Sequence, residues 1–280
     1  MVLVERFTSW TCPPCASNNP IMDAFLSSQD PDKIVGISYH MSWPAPGNDS
    51  MYWQNTVDNE ARRTYYGVNS IPQAFMDGVI NIQPPYNQSV LQSYFDSRKV
   101  ILSPVTIIVT DTIYNDTIYI KAQIYCETSI TNPTVKVHFA VIEKEIHYQY
   151  PPGTNGEKDF YDVMRKMLPS GTGSDLTLMP GQVYTIERKT YKDPRWQTNQ
   201  LRSMVFLQEA NKEVLCAGKK TENFTLLPQP GFKVVLQGQS QNASFKVRTP
   251  VIAPNYNSPI TFTAEVIPAN AGITVTFPNG

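Results

Sequence analysis

Trp10-Thr11-Cys12-Pro13-Pro14-Cys15 is the stretch whose reading decides the fold. It follows an apolar run, Val2 to Phe7, of the kind that forms a buried strand, and it leads into a helical pattern from Ala16. Strand, C-x-x-C, helix is the local context of a thioredoxin-like redox site. At this spacing both thiols can meet over the first helical turn. Pro14 has no amide hydrogen to lose at a helix start, and its fixed φ suits that position. Cys12 then faces unpaired amides and the positive end of the helix, which stabilise a thiolate.

Two other uses of the pair are weaker. Zinc needs four ligands, and Cys126, Cys216 and three scattered histidines do not supply a second half-site. A bridge closing so short a loop contributes little chain entropy, so a purely structural disulfide has little to recommend it. The chemistry expected of two thiols needs neither metal nor cofactor.

The chain of 280 residues leads to an expectation of more than one domain, and 41% hydrophobic residues suffice for ordinary cores. A net charge of −1 provides no electrostatic footprint for nucleic acid or for an anionic membrane. Only 17% of residues are charged, a balance that fits an exported, β-rich protein. No window approaches the roughly 20 apolar residues that cross a bilayer. Met1 leads straight into the first strand, so the expectation is a mature fragment without its signal sequence.

Working outward, helical spacing continues through Ile21, Met22, Phe25 and Leu26, and Lys33 to Tyr39 reads as a second strand ending at His40. A turn-rich insertion with Pro44, Pro46 and Gly47 precedes a helical stretch from about Met51 to Tyr66. Ile71-Pro72 then opens a strand that turns at Asp77-Gly78, with Val79 to Ile82 returning, and Val90 to Val100 closes the unit as a helix. Residues 1–102 are therefore expected to form an α/β layer.

After Ser103-Pro104 the texture changes to short strands separated by turns, at 105–110, 118–125, 135–143, 182–190, 204–207 and 213–217. This predicts an antiparallel, immunoglobulin-like β-sandwich over 103–227. Asp159 to Pro169 interrupts it: apolar residues at 160, 163, 164, 167 and 168 predict a helix stopped by Pro169. Leu226 to Gly231 reads as a linker, and 228–280 as an incomplete β-rich segment with strands at 232–236, 243–247, 260–266 and 273–277.

The N-terminal third resembles the thioredoxin superfamily through W-x-C-x-x-C and the later Ile71-Pro72. A closer match runs through V-L-V-E-R-F-T-S-W-T-C-P-P-C (2–15), Y-H (39–40), Y-Y-G-V (65–68), P-Q-A-F-M-D-G (72–78), V-M-R-K-M-L-P (163–169) and V-F-L-Q-E-A-N-K-E-V-L (205–215). In this order the blocks resemble the Omp28-related outer membrane protein family, over residues 2 to 227. That resemblance implies a thioredoxin-like domain before a β-sandwich, export, and a place in the periplasm, at the outer membrane or on the cell surface. It also implies a cis Pro72 beside the cysteine pair, where the backbone of Ile71 can pair with an extended substrate.

The expected roles follow. Cys12 is the nucleophile and the more exposed thiol, and Cys15 is the resolving thiol. Pro13 and Pro14 shape the helix start, while Trp10 walls the pair and Ile71-Pro72 docks a stretched peptide. The resemblance suggests Glu5 as a buried acid serving the resolving thiol, against a plain salt-bridged glutamate. His40, at a strand end near the site, is either a redox-tuning group or a hydrogen-bonded core histidine. Cys126 and Cys216 are either bridged or buried as free thiols. The resulting function is thiol–disulfide exchange with cysteine-containing exported proteins or a redox partner. The lack of a histidine between the cysteines leans towards a reductant. A surface binding or scaffold protein is the rival, and peroxidase chemistry lacks the Arg and Thr groups it needs.

Overall fold

The computed structural model describes residues 1–220 and two further strands at 225–229 and 244–248. Its first strand, β1 (Val2–Thr8), and second, β2 (Ile34–His40), are buried along their whole length. They pair in parallel, from Val2 opposite Ile34 to Thr8 opposite His40. A parallel pair needs a crossover, and α1 (Pro13–Ser28) supplies it. β3 (Gln73–Met76) lies antiparallel to β1, and β4 (Ile80–Ile82) returns alongside it. The turn between them holds Asp77 at φ 46° and Gly78 at φ 72°, the left-handed values that tight hairpins require.

The stretch expected as one helix from Met51 is two, α2 (Ser50–Trp53) and α3 (Thr56–Tyr66). Asn55 separates them because its side chain accepts the Asp58 amide and so caps the second helix. α4 (Gln88–Lys99) is capped in the same way by Asn87.

The remaining strands of this part are β5 (Val105–Tyr114), β6 (Thr117–Cys126), β7 (Thr134–His147), β8 (Asp159–Leu168), β9 (Ser174–Thr177), β10 (Val183–Tyr191), β11 (Leu201–Gln208) and β12 (Val214–Lys219). β8 corrects the helix expected over 159–169. It lies inside the sheet between β7 and β2, and both its faces are covered. Asp162 sits at φ 53°, and the β7–β8 register shifts between Val141 and Ile142. These irregularities bury Val163, Met164, Met167 and Leu168, breaking simple alternation. A strand buried on both sides cannot be told from a helix by periodicity.

One mixed sheet of nine strands runs β12-β11-β7-β8-β2-β1-β3-β4, with β9 on β7; a second runs β10-β6-β5. The boundary expected at 102/103 therefore falls within one compact unit, Met1–Thr221. The join is the parallel contact of β2 with β8, at Ser38 opposite Val163. Along β11, Val205 and Leu207 pack with Ile118, Ile120 and Ile124 of the second sheet. Met204 and Phe206 point the other way, into a core with Phe7, Tyr39 and Tyr66. Val2 and Val4 on β1 face a third core with Phe25, Leu91 and Phe95 from the helices.

Cys126 and Cys216 are buried free thiols in the core between the two sheets, which decides the open question of a bridge. Glu222–Gly280 forms a separate unit. Part of the expected linker is a strand, β13 (Thr225–Gln229), paired antiparallel with β14 (Ser244–Arg248). The strands expected at 232–236, 260–266 and 273–277 lie outside the described residues. Among those described, no helix is long and apolar enough to cross a membrane.

Candidate redox site

Thr8 ends β1, and the chain turns through Ser9 to Thr11 so that Cys12 becomes the N-cap of α1. Pro13 and Pro14 begin the helix, where their missing amides leave no hydrogen bond unmade. Cys12 and Cys15 are joined in a disulfide, their Cα atoms 5.2 Å apart. The Cys12 sulfur accepts the Cys15 amide at 3.1 Å, the contact through which a helix start stabilises sulfur-centred negative charge. The same sulfur lies 3.7 Å from the carbonyl oxygen of Ile71, and the Ile71–Pro72 bond is cis. Cys12, Cys15, Ile71 and Pro72 are thus gathered at one place.

Exposure departs from expectation. Cys12 is 1% exposed and Cys15 0%, so the two scarcely differ. Pro13 and Pro14 are exposed at the rim. Two loops wall the pair in. From the 41–49 insertion, the Pro44 carbonyl accepts the Thr11 hydroxyl at 2.8 Å. From the β7–β8 loop, the Asn155 side-chain amide donates to the carbonyls of Ser9 (3.1 Å) and Cys12 (3.2 Å). The Asn155 main-chain N–H donates to Trp10 O at 3.1 Å.

Trp10 is a wall. It is buried with Met51, Ile146, Phe160 and Val163, its ring edge-on to Tyr148 and Phe160. Its main-chain N–H donates to Asp49 Oδ2 at 2.9 Å. His40 is also buried, its Nδ1 2.7 Å from the same carboxylate oxygen. Burial works to raise the Asp49 carboxyl, but His40 and the amides of Trp10 and Met51 outweigh it and hold the group below its usual range. His40 Nε2 and Asn19 Oδ1 are buried without partners, and both residues line a small cavity with Arg6, Thr8 and Phe160.

Glu5 is placed elsewhere, in the core formed with α3. Arg62 Nη2 reaches both its oxygens, at 2.7 and 2.9 Å, and the Tyr39 and Tyr66 hydroxyls donate to them as well. That is the salt-bridged alternative.

The acid linked to the motif is Glu157, reached from the Cys12 carbonyl through the Asn155 amide and absent from the sequence expectations. It accepts the Asn19 amide at 2.7 Å on one oxygen and the Asn155 amide on the other. Asn19 follows Cys15 by one turn on the buried side of α1. Partial burial raises the Glu157 carboxyl above its usual range, against the pull of those two hydrogen bonds and of the Arg6 and His40 charges. An N-x-E triplet in a loop is the only local signal for this group, and it is common. Among the described residues no cluster of His, Cys, Asp and Glu could hold a metal ion.

This arrangement sits on a fold already solved. The chain is similar in structure to HBP35 of Porphyromonas gingivalis, with a TM-score of 0.65 over 89% of this chain and 90% of that one, at 14% identity. A domain of the outer membrane lipoprotein Omp28 from the same organism aligns with a TM-score of 0.30 at 14% identity, over 43% of this chain and 89% of that one. The first likeness is one of fold; the second is too slight to carry an argument. No protein-family model matches the sequence, and no curated protein does.

Proposed function

We propose that this chain is a thiol–disulfide oxidoreductase with a thioredoxin-like site, working in the cell envelope or at the cell surface on cysteine-containing exported proteins. One observation carries the reading: a closed Cys12–Cys15 disulfide at the start of α1, its Cys12 sulfur against the Ile71 carbonyl beside Pro72. In the reduced protein the Cys12 thiolate attacks a substrate disulfide, and one substrate sulfur leaves as a thiolate. Cys15, having lost its proton, attacks the Cys12 sulfur of the mixed disulfide. The second substrate sulfur leaves with the electron pair, and the Cys12–Cys15 bond closes again. Pro72 presents the Ile71 backbone to an extended peptide. The envelope location rests on the sequence resemblance and on the low charged fraction.

The near-complete burial of Cys12 favours a second reading, a surface binding or scaffold protein whose disulfide is only structural. Insulin reduction with a thiol-recycling system separates the two. The wild type should turn over and Cys12→Ser should be dead; a wild type that never turns over leaves the binding reading standing.

A further inference from the structure

Glu157 is a half-buried carboxylate whose side-chain hydrogen bonds come from neutral amides, next to the main chain of the redox motif. Glu157 accepts from Asn19 and Asn155 and makes no ion pair among the described residues. The nearby charges are already committed. Arg6 on β1 is paired with Asp23 on α1 at 2.7 Å, and His40 on β2 with Asp49 at 2.7 Å. The Asn155 amide that binds Glu157 is also the one bound to the carbonyl oxygen of Cys12. The acid therefore lies two hydrogen bonds from the main chain of the redox motif. It is delivered by the β7–β8 loop, far along the chain from the cysteines.

We infer that Glu157 is a positioning residue that sets the direction of the pair: its fixed negative charge disfavours the Cys12 thiolate and makes the disulfide harder to reduce, so that the reduced protein is a donor of electrons. The inference deepens the oxidoreductase reading and rests on it. The physics is a competition at one helix end. The amides at the start of α1 favour a thiolate, while a like charge two hydrogen bonds from the Cys12 main chain opposes it. Removing the charge leaves the helix unopposed.

The test is equilibration with glutathione, in which one protein disulfide and two glutathione thiols give one protein dithiol and one glutathione disulfide. Glu157→Gln should move that equilibrium about tenfold towards the dithiol at neutral pH, a shift of about 30 mV for a two-electron couple. Thiolate absorbance should place the Cys12 pKa lower in this variant, and the difference from wild type should vanish in acid, where the thiols are protonated in both. Glu157→Asp keeps the charge and should stay near wild type. Asn155→Ala, which releases the acid from the Cys12 carbonyl, should shift the equilibrium the same way by less. An unchanged equilibrium in Glu157→Gln overturns the proposal. So does an equal shift in Glu157→Asp, because the effect would then be packing. Insulin turnover tests the oxidoreductase reading separately, since the glutathione equilibrium is measurable even if insulin is never reduced.

Discussion

Two glutamates, Glu5 fully buried and Glu157 half-buried, divide this molecule between structure and chemistry. Glu5, in the core formed with α3, has a guanidinium across both oxygens and two tyrosine hydroxyls besides. Glu157, in the β7–β8 loop, takes side-chain hydrogen bonds from two amides and feels Arg6 and His40 without pairing with either. An ion compensated by its counter-ion contributes to holding elements together, and α3 is tied to β1 in this way. An ion bonded to amides, with the nearby cations paired to other carboxylates, keeps more of its field, and that field falls on what lies beside it. Partner set and burial together separate the two roles.

The largest effect expected from breaking this contrast is on the Glu5 side. Arg62→Ala leaves the Glu5 carboxylate uncompensated in a core where Arg62 itself is 1% exposed. A loss of about 3–5 kcal/mol is expected in urea unfolding. The glutathione equilibrium of whatever remains folded should be unchanged. A redox shift in Arg62→Ala would erase the distinction between the two acids.

Acid titration sharpens the contrast next. Asp49 has a depressed folded pKa, so its contribution is present above the ordinary value of 3.8 and is lost as pH falls through the folded value. Glu157 has a raised folded pKa, so stability falls as pH rises from the ordinary value of 4.5 through the folded one. Asp49→Asn should thus cost stability at neutral pH, by about 1–3 kcal/mol, and cost little in strong acid. Glu157→Gln should raise stability at neutral pH and leave it unchanged below pH 4.5. Urea melts of the three proteins across pH check both signs, and parallel behaviour of the two variants would refute the assignment.

The legible parts of this site were those written in local chemistry. Two cysteines around two prolines define a helix start whatever lies beyond, and Asp77-Gly78 specifies its own hairpin turn. The Ile71-Pro72 loop came with the resemblance. Long-range pairing was not legible. Ser38 opposite Val163 fuses the two halves into one sheet, yet neither residue carries a signal for the other. The β8 strand hid behind an apolar stripe because the left-handed Asp162 and the slipped register imitate a helical period. Asn155 and Glu157 sit in a loop of ordinary composition, and the return of β8 to β2 brings Asn155 onto the Cys12 carbonyl with Glu157 behind it. The role of Glu5 as an acid near the thiols came with the resemblance; the alternative, a salt-bridged glutamate, is what alternation along β1 gives by pointing it towards α3.

The smallest effect belongs to the other two thiols, and it bounds everything measured at the first two. Burial raises Cys126 and Cys216 above the ordinary thiol range, and both lie in the apolar layer between the sheets. Neither should exchange with glutathione while the protein is folded. The double variant Cys126→Ala, Cys216→Ala should therefore lose about 1–2 kcal/mol of stability to underpacking and keep its glutathione equilibrium within error. Thiol counting with an alkylating reagent in denaturant should find two thiols in the oxidised protein and four in the reduced one. If the double variant instead moves the equilibrium, these thiols take part in exchange. The potential read for wild type would then belong to four sulfurs, and the effect attributed to Glu157 would have to be measured again in the background lacking the buried pair.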